Sequence, residues 1–310
     1  MRNTRRTGWA RAALVLTAVA CVAASLALPE RGAAAPSPVL YRRVRVDGFD
    51  GKRTTAVVTV PRRRGGRTAP PGHRYPTVVA LHDASALARR GAGRAYTAWA
   101  GDYGLPVAFA ALASGHVTAE SYGGTASEAH LAYVNAALAA KPFPGALVIN
   151  PVVPELSEAQ VKAYGDWLAG PLLAAVRERF AGAARTREGT GIDGLRDGGT
   201  LALEVGLSHP DVFGAVGALQ PSLDTAAIDR IATLAAARDE KLEQAVRLLT
   251  AKDGASFAGV QTLSAKLRAA HVPHRVTELA AAKPEAYESG ADALELLRFQ
   301  TTALVSEARH

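Results

Sequence analysis

Apolar and polar positions change rhythm several times along the 310 residues. The first apolar run, the 17 residues from Ala12 to Leu28, follows Arg2, Arg5, Arg6 and Arg11 and leads into Gly32-Ala33-Ala34-Ala35. A basic start, an apolar middle and small residues at the end make the pattern of a secretory leader over residues 1–35. Seventeen residues also lie at the lower limit of a bilayer-spanning helix, so an uncleaved anchor is the alternative. Ala18-Val19-Ala20-Cys21 has the outline of a bacterial lipoprotein box, which would lipidate Cys21.

Beyond the leader, Val39–Val46 and Thr54–Val60 alternate or run β-branched around Asp47-Gly48 and Asp50-Gly51, which predicts an antiparallel strand pair. Residues 61–75, with Gly65-Gly66, Pro70-Pro71 and five arginines, read as a surface loop. Short apolar runs then follow at Thr77–Leu81, Ala146–Ile149, Gly191–Leu195, Ala215–Leu219, Ala245–Leu249 and Arg275–Leu279. Runs of this length suit strands buried on both faces of a parallel sheet. Helical patterns separate them: Ser127–Ala140, Ser157–Phe180 with a kink expected at Pro171, Gly199–Ser208, Asp224–Ala237, Ser256–Ala270 and Glu288–Ala308. Strand and helix alternating in this way predict one α/β domain over residues 36–310, a mostly parallel central sheet with helices on both faces. Asp83 to Ser127 is expected to form a loop or cap over the sheet edge.

Charge narrows the function classes. Removing residues 1–35 takes away five arginines and Glu30, and lowers the formal charge from +8 to +4. The remaining surplus sits mainly in Arg62, Arg63, Arg64 and Arg67, a pattern that does not point to nucleic acid. Cys21, the only cysteine, lies in the leader, so the domain has neither an internal disulfide nor a cysteine-based metal site. A membrane contact is expected only through the leader or a lipid anchor.

Chemistry in such a sheet sits at the carboxyl ends of the strands. There Gly191-Ile192-Asp193-Gly194-Leu195-Arg196-Asp197-Gly198-Gly199-Thr200 reads as a strand entering a sharp glycine-flanked turn and then a helix. A nucleophile elbow has this form, its small neighbours permitting a strained central residue. With Leu207-Ser208-His209-Pro210-Asp211-Val212-Phe213 after it and Tyr75 to His82 before it, the chain resembles the esterase D, feruloyl and acetyl-xylan esterase branch of the α/β-hydrolases over about residues 39–306. The resemblance implies an α/β-hydrolase-like fold, no cofactor or metal, and a small-molecule, carbohydrate or lipid ester as ligand.

The same resemblance exposes departures. Serine belongs at the centre of the elbow, and Arg196 stands there. A guanidinium does not lose its proton and is no nucleophile. His82 and Asp83 occupy the oxyanion-loop region, with Asp83 in place of a glycine. The catalytic histidine position falls near Lys283, and Asp253 stands at the acid position. These departures imply a pseudoenzyme, an exported binding or accessory protein; the alternatives are an ester hydrolase using other residues and an envelope protein without a ligand. Shifting the elbow by one residue would make Asp197 an aspartyl nucleophile, but no histidine base stands ready for it. Asp253 reads equally as a turn residue, and His82 and His116 as structural histidines. Arg196 with the helix start behind it predicts a local positive site, filled by Asp83, Asp197 or Asp253, or else open to an acidic ligand.

Overall fold

The computed structural model describes residues 37–62, 72–239, 241–279 and 290–308. The leader, Cys21, Arg63, Arg64, Arg67 and Lys283 lie outside the described residues. No described helix is long and apolar enough to cross a membrane.

Eight strands form one sheet in the order β1-β2-β5-β4-β6-β7-β8-β9. The first two, β1 (Val39–Asp47) and β2 (Arg53–Pro61), pair antiparallel, and β2 pairs antiparallel with β5 (Leu147–Asn150). The remaining neighbours run parallel: β4 (Thr77–Leu81), β6 (Thr190–Gly194), β7 (Ala215–Leu219), β8 (Ala245–Ala251) and β9 (Arg275–Leu279). At one edge, β1 exposes Arg42, Arg43 and Arg45, charges that discourage further strand pairing. Two short strands, β3 (His73–Arg74) and β10 (Glu307–Ala308), pair with each other apart from the main sheet.

Helices cover both faces, as expected. On one lie α5 (Glu158–Trp167), α6 (Leu173–Arg179), α7 (Asp197–Ser208), α8 (Thr225–Ala236) and α9 (Phe257–Ala269). On the other lie α1 (Ala84–Arg90), α2 (Ala98–Gly101), α3 (Leu105–Ala113), α4 (Glu128–Ala140) and α10 (Ala291–Ala303). Strand β4 serves both: Val79 and Leu81 enter the first core, Val78 and Ala80 the second. That alternation explains why all five of its residues are buried, so that the sequence shows a continuous apolar run.

One expectation needs correction, and one is met. Asp83 to Ser127 is not a loop or cap: it supplies Trp99, Tyr103, Phe109, Leu112 and Tyr122 to the second core. Its small-residue, weakly periodic helices hid that role. The long helix breaks into α5 and α6 around a π-turn at Leu168–Leu172, because Pro171 has no amide hydrogen to donate to the preceding turn.

Candidate functional site

Close backbone contact sets the elbow between β6 and α7. A Cβ on Gly194 would lie 2.1 Å from the Gly198 carbonyl, and one on Gly198 would lie 2.5 Å from that of His82. Arg196 stands at the apex with φ 51° and ψ −115°, a conformation that costs a non-glycine residue energy. Its amide donates to the Leu219 carbonyl at 2.9 Å, tying the apex to the end of β7. The strained residue is therefore Arg196, and Asp197 begins the helix, so the shifted register with Asp197 as central nucleophile does not match the backbone.

Beside the elbow, a cleft of about 310 Å³ opens at the strand ends. Its walls include His82, Val153, Asp197, Glu204, Asp224 and Arg230, but not Arg196 or Asp253. Glu155, Asp197, Glu204 and Asp224 outnumber the one arginine in this lining, so a positive cleft built on Arg196 and suited to an acidic ligand is not what the structure contains. Asp197 is exposed, and its Oδ2 accepts from the Ala84 amide at 3.4 Å. Asp253 is exposed in the turn after β8.

The two oxyanion-loop residues are committed elsewhere. Burial lowers the pKa of His82, which remains neutral. The Val153 amide donates to Nε2 at 2.9 Å, which makes Nδ1 the protonated nitrogen, donating to the Asp83 carbonyl at 2.8 Å. With both nitrogens engaged, His82 has no position from which to accept a proton from a substrate. Asp83 caps α1 by accepting from the Ala86 amide at 2.9 Å, while Tyr103 and Ser85 hydroxyls donate to it at 2.6 Å each. Burial opposes its ionisation, but the donations from Ser85, Tyr103 and Ala86 hold the carboxyl below the ordinary range.

Sequence reasoning missed a buried carboxylate on α10. Asp292, in the first turn of α10, is 1% exposed. Burial pushes its pKa up to about 7, against the influence of Gln220, Arg196 and Arg247. Gln220, at the end of β7, shares the unusual positive φ of Arg196, at 46°. Arg196 thus acts electrostatically on the interior of the α10 face.

Asp292 belongs to a buried ionic layer. Asp193, Gly217 and Arg247 stand in register on β6, β7 and β8. Because Gly217 has no side chain, Arg247 Nη2 reaches Asp193 Oδ2 at 3.0 Å across the intervening strand; a Cβ on Gly217 would lie 2.0 Å from that oxygen. Gln300 also donates to Asp193 Oδ2, at 3.1 Å, and Arg247 Nη1 donates to the Glu295 carbonyl at 2.9 Å. The Glu295 carboxylate receives Arg298 at 2.7 Å, Tyr122 at 2.8 Å and the His130 ring at 2.9 Å. Burial raises the pKa of Asp193 and lowers that of Arg247; for Glu295, burial is overcome by Arg298 and His130, and its pKa falls. A signal was present in the sequence: Asp193 and Arg247 interrupt apolar strands, and Asp292, Glu295 and Arg298 recur at helical spacing on one apolar helix.

No nucleophile, base and acid converge on the elbow among the described residues. A Ser–His hydrogen bond does occur, Ser264 Oγ to His274 Nε2 at 2.8 Å, but Ser264 is fully buried in α9 and His274 precedes β9, at the opposite sheet edge. Among the described residues, no group of three or more His, Cys, Asp or Glu side chains is arranged to hold a metal ion.

By sequence, the chain matches no family model and no curated protein. In three dimensions it is similar to a ferulic acid esterase, at 13% identity and a TM-score of 0.58, with 86% of this chain and 99% of that one covered. It is similar also to FphF, a fluorophosphonate-binding serine hydrolase of Staphylococcus aureus, at 12% identity and a TM-score of 0.56, covering 85% and 99%. The siderophore hydrolase EstB of Aspergillus nidulans gives 15% identity and a TM-score of 0.56, covering 87% and 96%. The chain therefore has the α/β-hydrolase fold of these esterases.

Proposed function

We propose that the chain is a non-catalytic member of this fold, an exported protein that binds a ligand in the strand-edge cleft without hydrolysing it. The observation that carries the reading is Arg196 at the strained apex of the elbow. A guanidinium there can neither attack a carbonyl nor donate a proton at working pH. The commitment of both His82 nitrogens supports the same reading, because a serine restored at the apex would find His82 unable to take its proton. The leader-like start of the sequence supports export.

An ester hydrolase acting through other residues is the second reading, favoured by the esterase neighbours in fold space. Assay of the purified chain on short-chain aryl esters, with labelling by a serine-directed fluorophosphonate, separates the two. We expect no turnover above the buffer rate and no adduct; turnover that persists through purification would overturn the non-catalytic reading. Arg196→Ser alone is expected to give no burst of product, and a stoichiometric burst would place a working base in the site. Intact-mass measurement of protein recovered outside the cytoplasm tests export: shortening near Ala35 or lipid on Cys21 is expected, and an intact cytosolic chain starting at Met1 refutes it.

A further inference from the structure

The strand-edge cleft has a neighbour. A second cavity, of about 540 Å³, lies among α5, α7 and α8, and Val161, Glu204 and Arg230 line both spaces. Each falls near the size range of small-molecule sites. The two cavities therefore adjoin at these three residues.

Glu204 is 7% exposed, yet its carboxylate is only half used. Arg230 donates from Nε and Nη2 at 3.1 and 3.0 Å, both to Oε1. No donor among the described residues reaches Oε2. Arg230 itself extends from α8 with its side chain 40% exposed, and its third nitrogen lies 3.7 Å from the exposed Glu158. A buried carboxylate is thus paired with a cation whose own side chain is partly exposed.

The surrounding charge favours a cation over an anion. Burial raises the pKa of Glu204, and the carboxylates of Glu158 and Asp224 push in the same direction against Arg230. The two helix starts on the cleft bring their own carboxylates, Asp197 on α7 and Asp224 on α8. Asp224 already accepts the Ala227 amide at 2.7 Å. An anionic ligand would meet these groups first. Around the junction, Val161, Leu201, Val205 and Leu234 offer apolar surface.

We propose that the junction of the two cavities binds an organic cation, an amidinium or ammonium carried on a flat or apolar body, with Glu204 as its anchor and Arg230 as a displaceable lid. Glu204 Oε2 takes the ligand's N–H, and the apolar body lies against Val161 and its neighbours. The inference rests on reading the cleft as a binding site and specifies what it binds.

Benzamidine, benzamide and benzoate share a shape and differ in charge, so calorimetric titration with the three is the test. Benzamidine is expected to bind at least tenfold more tightly than benzamide, with benzoate weakest. Glu204→Gln, checked for folding by thermal melting, should reduce benzamidine affinity at least tenfold. Arg230→Met removes the resident cation and should tighten benzamidine binding several-fold, a gain that a misfolded variant would not produce. Equal binding of benzamide, preference for benzoate, absence of benzamidine binding, or indifference to both substitutions overturns the proposal. A chain that hydrolyses aryl esters but holds benzamidine through Glu204 removes the non-catalytic reading and keeps this one. An inactive chain indifferent to benzamidine does the reverse.

Discussion

On the α5–α9 face of the sheet, β6 and β8 present Ile192, Val246 and Leu248 to an apolar core. On the α10 face the same two strands present Asp193 and Arg247, joined across Gly217 and continued by Glu295 and Arg298. Adjacent residues of one strand thus meet opposite environments. Apolar packing is non-directional and accepts small readjustments. Buried ions depend on directed partners, and the bonds from Arg247 to the Glu295 carbonyl and from Gln300 to Asp193 tie α10 to the sheet. Asp292 brings the elbow into that requirement, because Arg196 is among the charges it responds to.

The largest expected effect breaks the ionic face. Arg247→Met leaves Asp193 buried without its guanidinium, and urea unfolding should show a loss of about 3–5 kcal/mol. Adding Asp193→Asn removes the stranded charge and should recover a substantial part of that loss. A single variant within about 1 kcal/mol of the parent, near the worth of an exposed pair, would mean that the two faces do not differ as described.

A pH series sharpens the comparison. The folded-state pKa of Asp292 is raised to about 7, so the folded chain holds a proton that the unfolded chain has released. Stability from this group is therefore present in acid and lost as pH rises from about 4 to about 7, by roughly 4 kcal/mol at most. Asp292→Asn should flatten that slope, read as urea midpoints at pH 4.5 and 8. Glu295 works the other way: its pKa is depressed, so its contribution holds above the ordinary glutamate range and is lost only in stronger acid. A parent and Asn variant with parallel pH profiles would remove Asp292 from the account.

The smallest effect belongs to the apolar face. Ile192→Val deletes one methyl group from a packed core and should cost about 0.5–1.5 kcal/mol in the same assay, with no pH dependence. A pH-dependent loss there would show the two faces to be coupled through β6.

These contrasts also explain what the sequence could reveal. Thr77–Leu81 and Ala215–Leu219 were legible to the residue, because strands buried on both faces leave uninterrupted apolar runs. Ser127 was legible as a cap, and its hydroxyl accepts from the His130 amide at 3.2 Å. The elbow was legible because two glycines must stand four residues apart for the backbones to approach. The ionic layer was not, although its members interrupt apolar segments. Asp193 and Arg247 are 54 positions apart, and their meeting depends on β7 lying between β6 and β8, an order no local pattern carries. The Glu204 junction was hidden for the same reason, since it needs α5, α7 and α8 side by side.

His82 has one more consequence. Its ring spans the end of β4 and the segment at Val153, accepting on one side and donating on the other, so it works as a pin between two walls of the cleft. Burial keeps that pin uncharged at pH values where a surface imidazole has begun to ionise. When protonation does occur, Nε2 becomes a donor facing the Val153 N–H, itself a donor, and the attraction turns to repulsion. Acid would therefore unlatch the cleft at this one atom. In nitrogen NMR the latched ring gives one protonated and one bare resonance far apart, and unlatching draws them together, a signal readable before any change in the fold.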